Sequence, residues 1–496
     1  MTISKAMNIS LSGLNANQAA LNVVSHNIAN MNTEGYVRQR ANFAEVRTAT
    51  KDGSVRGQIA SLAGVKIASI TTAANDYLNN YFRTQNSKYQ GLLSDADSAG
   101  QVADLMDDLK GTGLGDSLTD FFSAANSLNK NPTDYSLRVN YAEKAKAVAN
   151  KFNAMSTNIT KLRDSKIGNG DTIESAEASE AGTYVSQINS AIEQLLTVNK
   201  QILSRPDDAG LQTQRDQILS QLSGLANVTT SLNPSGTANV KIGDIDLIKH
   251  CEIQSELRIT ATGQIMADDA RGNAVDITDT IKEGSLGGVL NSLDTFDRAM
   301  SDLNTLAKAF ADKMNELQTY TDGTNKACSY NRIDDKLEIS TENLFKTKDG
   351  TTDINASNIT INDKILDNPD LIAAARVDTD TLKNPDWEKS VGNGDNALEI
   401  YNVQNEKLPD LGGLSLSDYI ISLGTKFALE ADAKTNDAEI QGGIVDGINN
   451  QILSETGVNL DEELSNMIIY QQAYNASARV FSACVEVFDT LVNLGL

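Results

Sequence analysis

His250-Cys251-Glu252 is the first pattern in this 496-residue chain that could do chemistry, because it sets a potential general base beside a potential nucleophile. The surrounding text alternates like a strand, and successive strand side chains point to opposite faces, so the pair is expected to diverge. The only other histidine, His26, has no acidic residue or cysteine within the first 33 positions. A metal or acid–base role would need such partners, so a structural role is expected. Gly111-Thr-Gly-Leu-Gly115 has the glycine spacing of a phosphate loop. It follows helical rather than strand-like text and lacks the Gly-Lys-Ser/Thr ending, which makes it a helix connector. The acidic groups Asp207-Asp208, Asp268-Asp269 and Asp461-Glu462-Glu463 are too scattered for a metal cage; the last fits the first turn of a helix, where acids complement the dipole. Cys251, Cys328 and Cys484 are odd in number and form no CxxC pair, so neither a disulfide framework nor a zinc site is expected. Cys484 falls at a helical position in an apolar run and reads as a small core residue. No catalytic, cofactor-binding or metal-ligating set emerges, and an enzyme is not expected.

The bulk properties point the same way. The chain is too long for one core and should contain two to four domains. Its net charge of −24 and pI near 4.5 argue against a general binder of nucleic acid or anionic membranes. No basic region followed by an apolar run opens the sequence, and no stretch approaches the roughly 18 apolar residues of a membrane span. Export, if it occurs, is not expected to use a cleaved signal peptide.

Two terminal elements dominate the patterning. A first helix is predicted from about Ser4 to Ala29, with Met7, Leu14, Leu21 and Ile28 at seven-residue spacing and Leu11, Gln18 and Ser25 at the other seam position. Residues 1–33 hold seven asparagines and one charged side chain, Lys5, so this helix looks built for contact on both sides. A last helix is predicted from about Leu460 to Leu494. There Leu464, Gln471, Ala478, Val485 and Val492 repeat at seven, as do Met467, Tyr474, Phe481 and Phe488. Residues 1–60 carry six Lys/Arg against three Asp/Glu, whereas residues 454–496 carry one against six. Opposite charge supports pairing of the ends, and isolated helices of this kind are marginal in water. Both ends are therefore expected to be loosely ordered in a free monomer and to order on assembly. The expected assembly seam is Met7, Leu11, Leu14, Leu21, Ile28, Leu464, Met467, Tyr474, Phe481, Val485, Phe488 and Val492.

Between the ends, Thr33-Glu34-Gly35 reads as a turn and β-prone text runs to about Ile70. Helical text from Ala74 to Ala226 is broken at Gly111–Gly115, Asn131–Asp134 and Gly168–Glu180. Alternation in 227–281 reads as a small β region. A long helix begins at about Ser285, short strands fall in Lys336–Ile361, and loop-rich text runs to Lys407. The expected fold is mainly α with small β inserts, elongated and multi-domain, with the terminal helices paired as a coiled-coil layer and a central helical bundle carrying β-rich subdomains. The expected domains are 1–60 with 454–496 (terminal assembly), 61–226 with 282–320 and 366–453 (central helical), 227–281 (small β region) and 321–365 (β-rich outer insert).

Leu21-Asn-Val-Val-Ser-His-Asn-Ile-Ala-Asn-Met-Asn-Thr-Glu-Gly-Tyr-Val-Arg-Gln39 resembles the N-terminal signature of flagellar rod, hook and hook-associated proteins. Gly457-Val-Asn-Leu-Asp-Glu-Glu-Leu-Ser-Asn-Met-Ile-Ile-Tyr-Gln-Gln-Ala-Tyr-Asn-Ala-Ser-Ala-Arg-Val480 resembles the C-terminal signature of the same axial family. Asn131-Pro-Thr-Asp134, Phe152-Asn153, Gln214-Arg-Asp-Gln217, Gly284-Ser-Leu-Gly-Gly288 and Gly394-Asp-Asn-Ala-Leu398 resemble, in order, landmarks of the family member at the hook-proximal side of the hook–filament junction. Met31-Asn-Thr-Glu-Gly-Tyr36 departs from the family, where a small residue and a proline are usual, and the middle β inserts are short.

The resemblance implies a secreted structural subunit that passes through the cytoplasm and leaves by the flagellar type III apparatus. It implies self-association in a ring or helical layer, contact with the hook protein and with an adjacent second junction protein, and a cytoplasmic export chaperone, expected on the C-terminal helix. No cofactor, nucleic acid or membrane insertion is implied. Another axial protein such as the hook protein is the nearest competing reading; a secreted enzyme inserted between assembly helices or an extracellular coiled-coil adhesin is more distant.

Overall fold

A computed structural model describes residues 3–33, 36–48, 61–72, 75–107 and 113–494. The chain opens with α1 (Ile3–Ala29) and an antiparallel ribbon of β1 (Gln39–Thr48) and β2 (Ser61–Thr72). Helices α2 (Asp76–Met106), α3 (Leu114–Lys130), α4 (Tyr135–Ile167), α5 (Ile173–Ala178), α6 (Glu180–Ser204) and α7 (Ala209–Leu225) follow. Short strands β3 (Val228–Leu232), β4 (Ala238–Ile242), β5 (Ile245–Lys249) and β6 (Glu252–Ile253) form one antiparallel sheet; β7 (Arg258–Ile259), β8 (Ile265–Asp268) and β9 (Ala274–Asp276) form another. The long helix α8 (Gly284–Gln318) leads to β10 (Asn325–Asn331), β11 (Lys336–Ile339), β12 (Phe345–Thr347), β13 (Ile359–Ile361), α9 (Asp363–Asp367), β14 (Ala375–Asp378) and α10 (Asp395–Asn402). Two long helices close the chain, α11 (Leu416–Thr456) and α12 (Leu460–Leu494).

Local chemistry sets the helix starts. After Asn131-Pro132-Thr133, the Asp134 carboxylate accepts from the N–H groups of Ser136 and Leu137 and caps α4. Asp208 caps α7 and Ser415 caps α11 in the same way. α11 ends at Gly457, whose N–H donates to the Leu453 carbonyl.

The main core is aromatic. Phe121 on α3, Tyr141 and Phe152 on α4, Phe310 on α8 and Phe345 on β12 are fully buried, and Phe310 meets Phe121 edge-on at 5.5 Å and Phe345 at 5.1 Å. Burying such a ring stabilises by about 1.5–3 kcal/mol. α8 crosses α2 in backbone contact, since a Cβ on Gly288 would lie 2.2 Å from the Gly91 carbonyl oxygen. α11 lies antiparallel on α2, fastened by Lys434–Asp95 at 2.9 Å and by Asn75–Glu455 at 3.1 Å.

Four assignments differ from the sequence reading. β2, expected with the central helices, pairs with β1 and packs beside α1. The 227–281 strands share a core with α6, α7 and the first turns of α8, because Val240, Ile242 and Ile265 have too few apolar neighbours among themselves. The expected border at 365/366 cuts through a sheet, since β14 pairs with β10 over Cys328↔Ala375 to Asn325↔Asp378 and shares a small core with Trp387. Phe345, Ile359 and Ile361, expected in the outer insert, pack into the aromatic helical core. The chain is mainly α with small antiparallel sheets, and its first and last helices pack together.

Candidate assembly interface

α1 and α12 run antiparallel in unbroken register. Asn27 faces Glu463, and fourteen residues further along each helix Gly13 faces Ser477, so close that a Cβ on Gly13 would lie 2.9 Å from the serine Oγ. The buried face of α1 is Ser10, Gly13, Ala16, Ala20, Val23, Val24 and Asn27. Small side chains let the helices approach, and the larger predicted ones sit beside that face. Met7, Leu14, Leu21 and Ile28 are half-buried and Leu11 is exposed. On α12, Met467, Tyr474, Phe481 and Val485 are half-buried, whereas Leu464, Phe488 and Val492 are exposed. Both stripes of α1 have the same seven-residue period, so period alone could not choose between them.

One end of the pair is closed by a polar cluster that the sequence reading did not assemble. Glu463, only 1% exposed, accepts from Arg38 Nε at 2.7 Å and from Asn27 Nδ2 at 3.2 Å. A second arm of Arg38 reaches the exposed Glu462 at 2.6 Å. Asn27 also donates to the Gln39 carbonyl, and its own Oδ1 accepts from Gln39 N–H and from the Tyr36 hydroxyl. Burial, and behind it the Glu463 charge, push the Tyr36 hydroxyl up to about 12. His26 Nδ1 lies 2.9 Å from the same hydroxyl. The N-terminal and C-terminal signatures thus meet through Asn27, Tyr36, Arg38, Gln39, Glu462 and Glu463. Asp461, Glu462 and Glu463 lie in the first turn of α12, as expected; Glu463, 1% exposed, also needs a cation, and Arg38 supplies it.

α12 also keeps an apolar surface in the open: Ile468, Ile469, Val480, Val487 and Leu491 are each about half exposed. Among the described residues, neither α1 nor α12 contributes to the buried apolar clusters of the central region.

The remaining chemistry-bearing residues are dispersed. His250 and Cys251 do not lie on a strand as expected. They form the two-residue turn between β5 and β6, with φ of 51° and 60°, His250 exposed and Cys251 buried. Cys484 is half-buried on α12 rather than in a core. Of the glycine-rich connector, Gly111 and Thr112 lie outside the described residues, as do Glu34 and Gly35 of the expected turn. Asp268 pairs with Arg258, and Asp269 accepts from the N–H groups of Arg271 and Asn273. Among the described residues no group of three or more His, Cys, Asp or Glu could hold a metal, and no helix is long and apolar enough to cross a membrane.

The central landmarks prove to be fasteners. Asn153 donates to the Ala356 and Ile359 carbonyls, Arg215 to the Gly236 carbonyl, and Asn396 to those of Leu317 and Ala373. Asp216 receives Arg83 at 3.1 Å, and Gly284, at φ 77°, presses on the Ala226 backbone.

Residues 99–326 match the family described as the flagellar hook-associated protein FlgK helical domain. Residues 7–36 match the flagella basal body rod protein family, and residues 449–494 match the flagellar basal body rod FlgEFG protein C-terminal family. Flagellar hook-associated protein 1 of Salmonella typhimurium is 26% identical, covering 99% of this chain and all of the relative. Its Bacillus subtilis counterpart is 27% identical, covering 97% of this chain and 96% of the relative. The solved structure of the flagellar hook junction protein FlgK from Burkholderia pseudomallei has the same fold, with a TM-score of 0.55 at 16% identity, over 75% of this chain and 99% of that one.

Proposed function

We propose that this chain, three regions of which match flagellar hook-associated and rod protein families, is the structural subunit joining hook to filament. Its work is mechanical rather than enzymatic. Subunits self-associate through the α1/α12 layer, in which Met7, Leu11, Leu14, Leu21, Ile28, Leu464, Met467, Tyr474, Phe481, Val485, Phe488 and Val492 meet neighbouring copies. The observation that carries this reading is the pairing of the terminal helices around small residues while α12 keeps Ile468, Ile469, Val480 and Leu491 exposed. Side chains of that size on one helix call for partners beyond the chain itself. Residues 3–33, 36–48, 61–72 and 460–494 form the assembly unit, and the β10–β11–β14 sheet belongs to the outer part. The hook protein and a second junction protein are the axial neighbours. The chain leaves through the flagellar type III apparatus, escorted by a chaperone on the C-terminal helix.

Deletion of the gene in its host tests the reading. Intact hooks without long filaments are expected, restored by the full-length chain. Missing hooks would assign the hook protein's role instead, and normal filaments would remove the junction role.

A further inference from the structure

The face joining α1 to α12 carries little information about register. Gly13, Ala16 and Ala20 present nearly uniform small surfaces, and across from them Tyr470, Ser477 and Cys484 follow one another at seven-residue steps. A slip of α12 by one heptad, about 10 Å along the axis, would replace Ser477 with Cys484 opposite Gly13 and keep apolar or small side chains in contact. Such a slip parts Tyr470 from Phe43, whose rings lie 5.9 Å apart, and costs most at one further place. It would carry Glu463 away from Arg38 and Asn27 and set Tyr470 against them, leaving the guanidinium, whose side chain is 12% exposed, with no buried carboxylate.

We propose that Asn27, Arg38 and Glu463 act as positioning residues that lock the heptad register of the terminal helix pair. A buried polar group at one position of an otherwise repetitive seam is the best-attested way to choose one register among several. The lock sits where the Arg38 N–H donates to the Thr456 carbonyl at the end of α11, so it ties the register to the central region too. It fixes how far the tip of α12, with Val487, Phe488 and Leu491, reaches beyond the start of α1. The inference concerns the single chain and rests on the proposed assembly only for its consequence, the reach offered to a neighbouring copy.

Disulfide trapping in the full-length chain tests it. The Ser477 Cβ lies 3.5 Å from a Cβ built on Gly13, which is disulfide geometry. Gly13→Cys with Ser477→Cys and Cys484→Ser therefore reports the observed register. Gly13→Cys with the natural Cys484 reports the register slipped by seven. Cys251 and Cys328 are buried, and desolvation holds the Cys328 thiol up at about 12, so neither competes. With the lock intact, the first pair is expected to cross-link and the second to lag by about tenfold or more. In an Arg38→Met, Glu463→Leu background, which keeps the site filled and apolar, the slipped pair should rise to a yield comparable with the first. A thermal melt of that background separates loss of register from loss of folding. Equal cross-linking of both pairs in the parent chain would overturn the lock, as would persistence of the observed register alone in the apolar background. Neither result depends on filament growth, so failure here and failure of the junction role are distinguishable.

Discussion

The central helices and the terminal pair solve the same problem with opposite materials. In the centre, Phe121, Phe152, Phe310 and Phe345 close a core in which α3, α4 and α8 are sealed by their own side chains. At the ends, α1 offers Gly13, Ala16 and Ala20, and the apolar bulk of α12 is left half exposed. Volume supplies stability in the centre; small residues supply close approach at the ends, where the apolar side chains of α12 stay half exposed. A polar cluster, Arg38 with Glu463 and Asn27, stands at the terminal seam where the central region would have a ring. The difference teaches where stability and where specificity reside in this molecule.

Four substitutions can break or sharpen that contrast. Phe310→Ala should lower the unfolding free energy of the central region by about 3–5 kcal/mol in a denaturant melt, because no neighbour can fill the space of a ring touched by three others. A loss well below 1 kcal/mol would mean that the aromatic core is not what holds the centre. Gly288→Ala should cost about 1–3 kcal/mol, since the added methyl meets the Gly91 backbone, which cannot rotate away; a melt unchanged from the parent would show that the α2–α8 crossing tolerates separation. Glu430→Gln acts through charge. The hydrogen bond from Arg298, and then its positive charge, hold the Glu430 carboxyl down at about 2 instead of 4.5. A depressed carboxylate stabilises above its unfolded value, so the contribution is present above pH 4.5 and lost as pH falls towards 2. The variant should be about 1–2 kcal/mol less stable at neutral pH, with a flatter acid limb in that window. An unchanged acid limb would assign the linkage elsewhere. Phe481→Asp should move the central melt by less than about 0.5 kcal/mol, yet abolish incorporation into flagella by placing a charge in the terminal seam. Normal motility in that variant would dismantle the account of the terminal helices.

The periodic elements were legible because they are long. The expected limits of the last helix, Leu460 and Leu494, are those observed, and the long helix expected from Ser285 begins one residue earlier at Gly284. What the sequence hid has specific causes. The phase of α1 was hidden because large and small stripes share one period, and a reader follows Leu14 and Leu21 rather than Gly13 and Ala20. The partnership of β10 with β14 spans some fifty residues with no local mark. His250-Cys251 lacks the Asn or Gly that announces a two-residue hairpin turn, although both residues adopt its positive φ. Glu463 looked like an ordinary first-turn acid, since its partner Arg38 lies at the other end of the chain.

That last separation also orders events in time. Asn27 and Glu463 are 436 residues apart, and closing a flexible loop of that length costs about 5 kcal/mol of chain entropy. A seam of small residues cannot meet that cost from an open coil. Once α2 and α11 have zipped, however, Asn75 and Glu455 stand 3.1 Å apart, and the loop left to close is far shorter than the whole chain. α1, made long before α12, therefore finds its partner late, after the elements between them have folded.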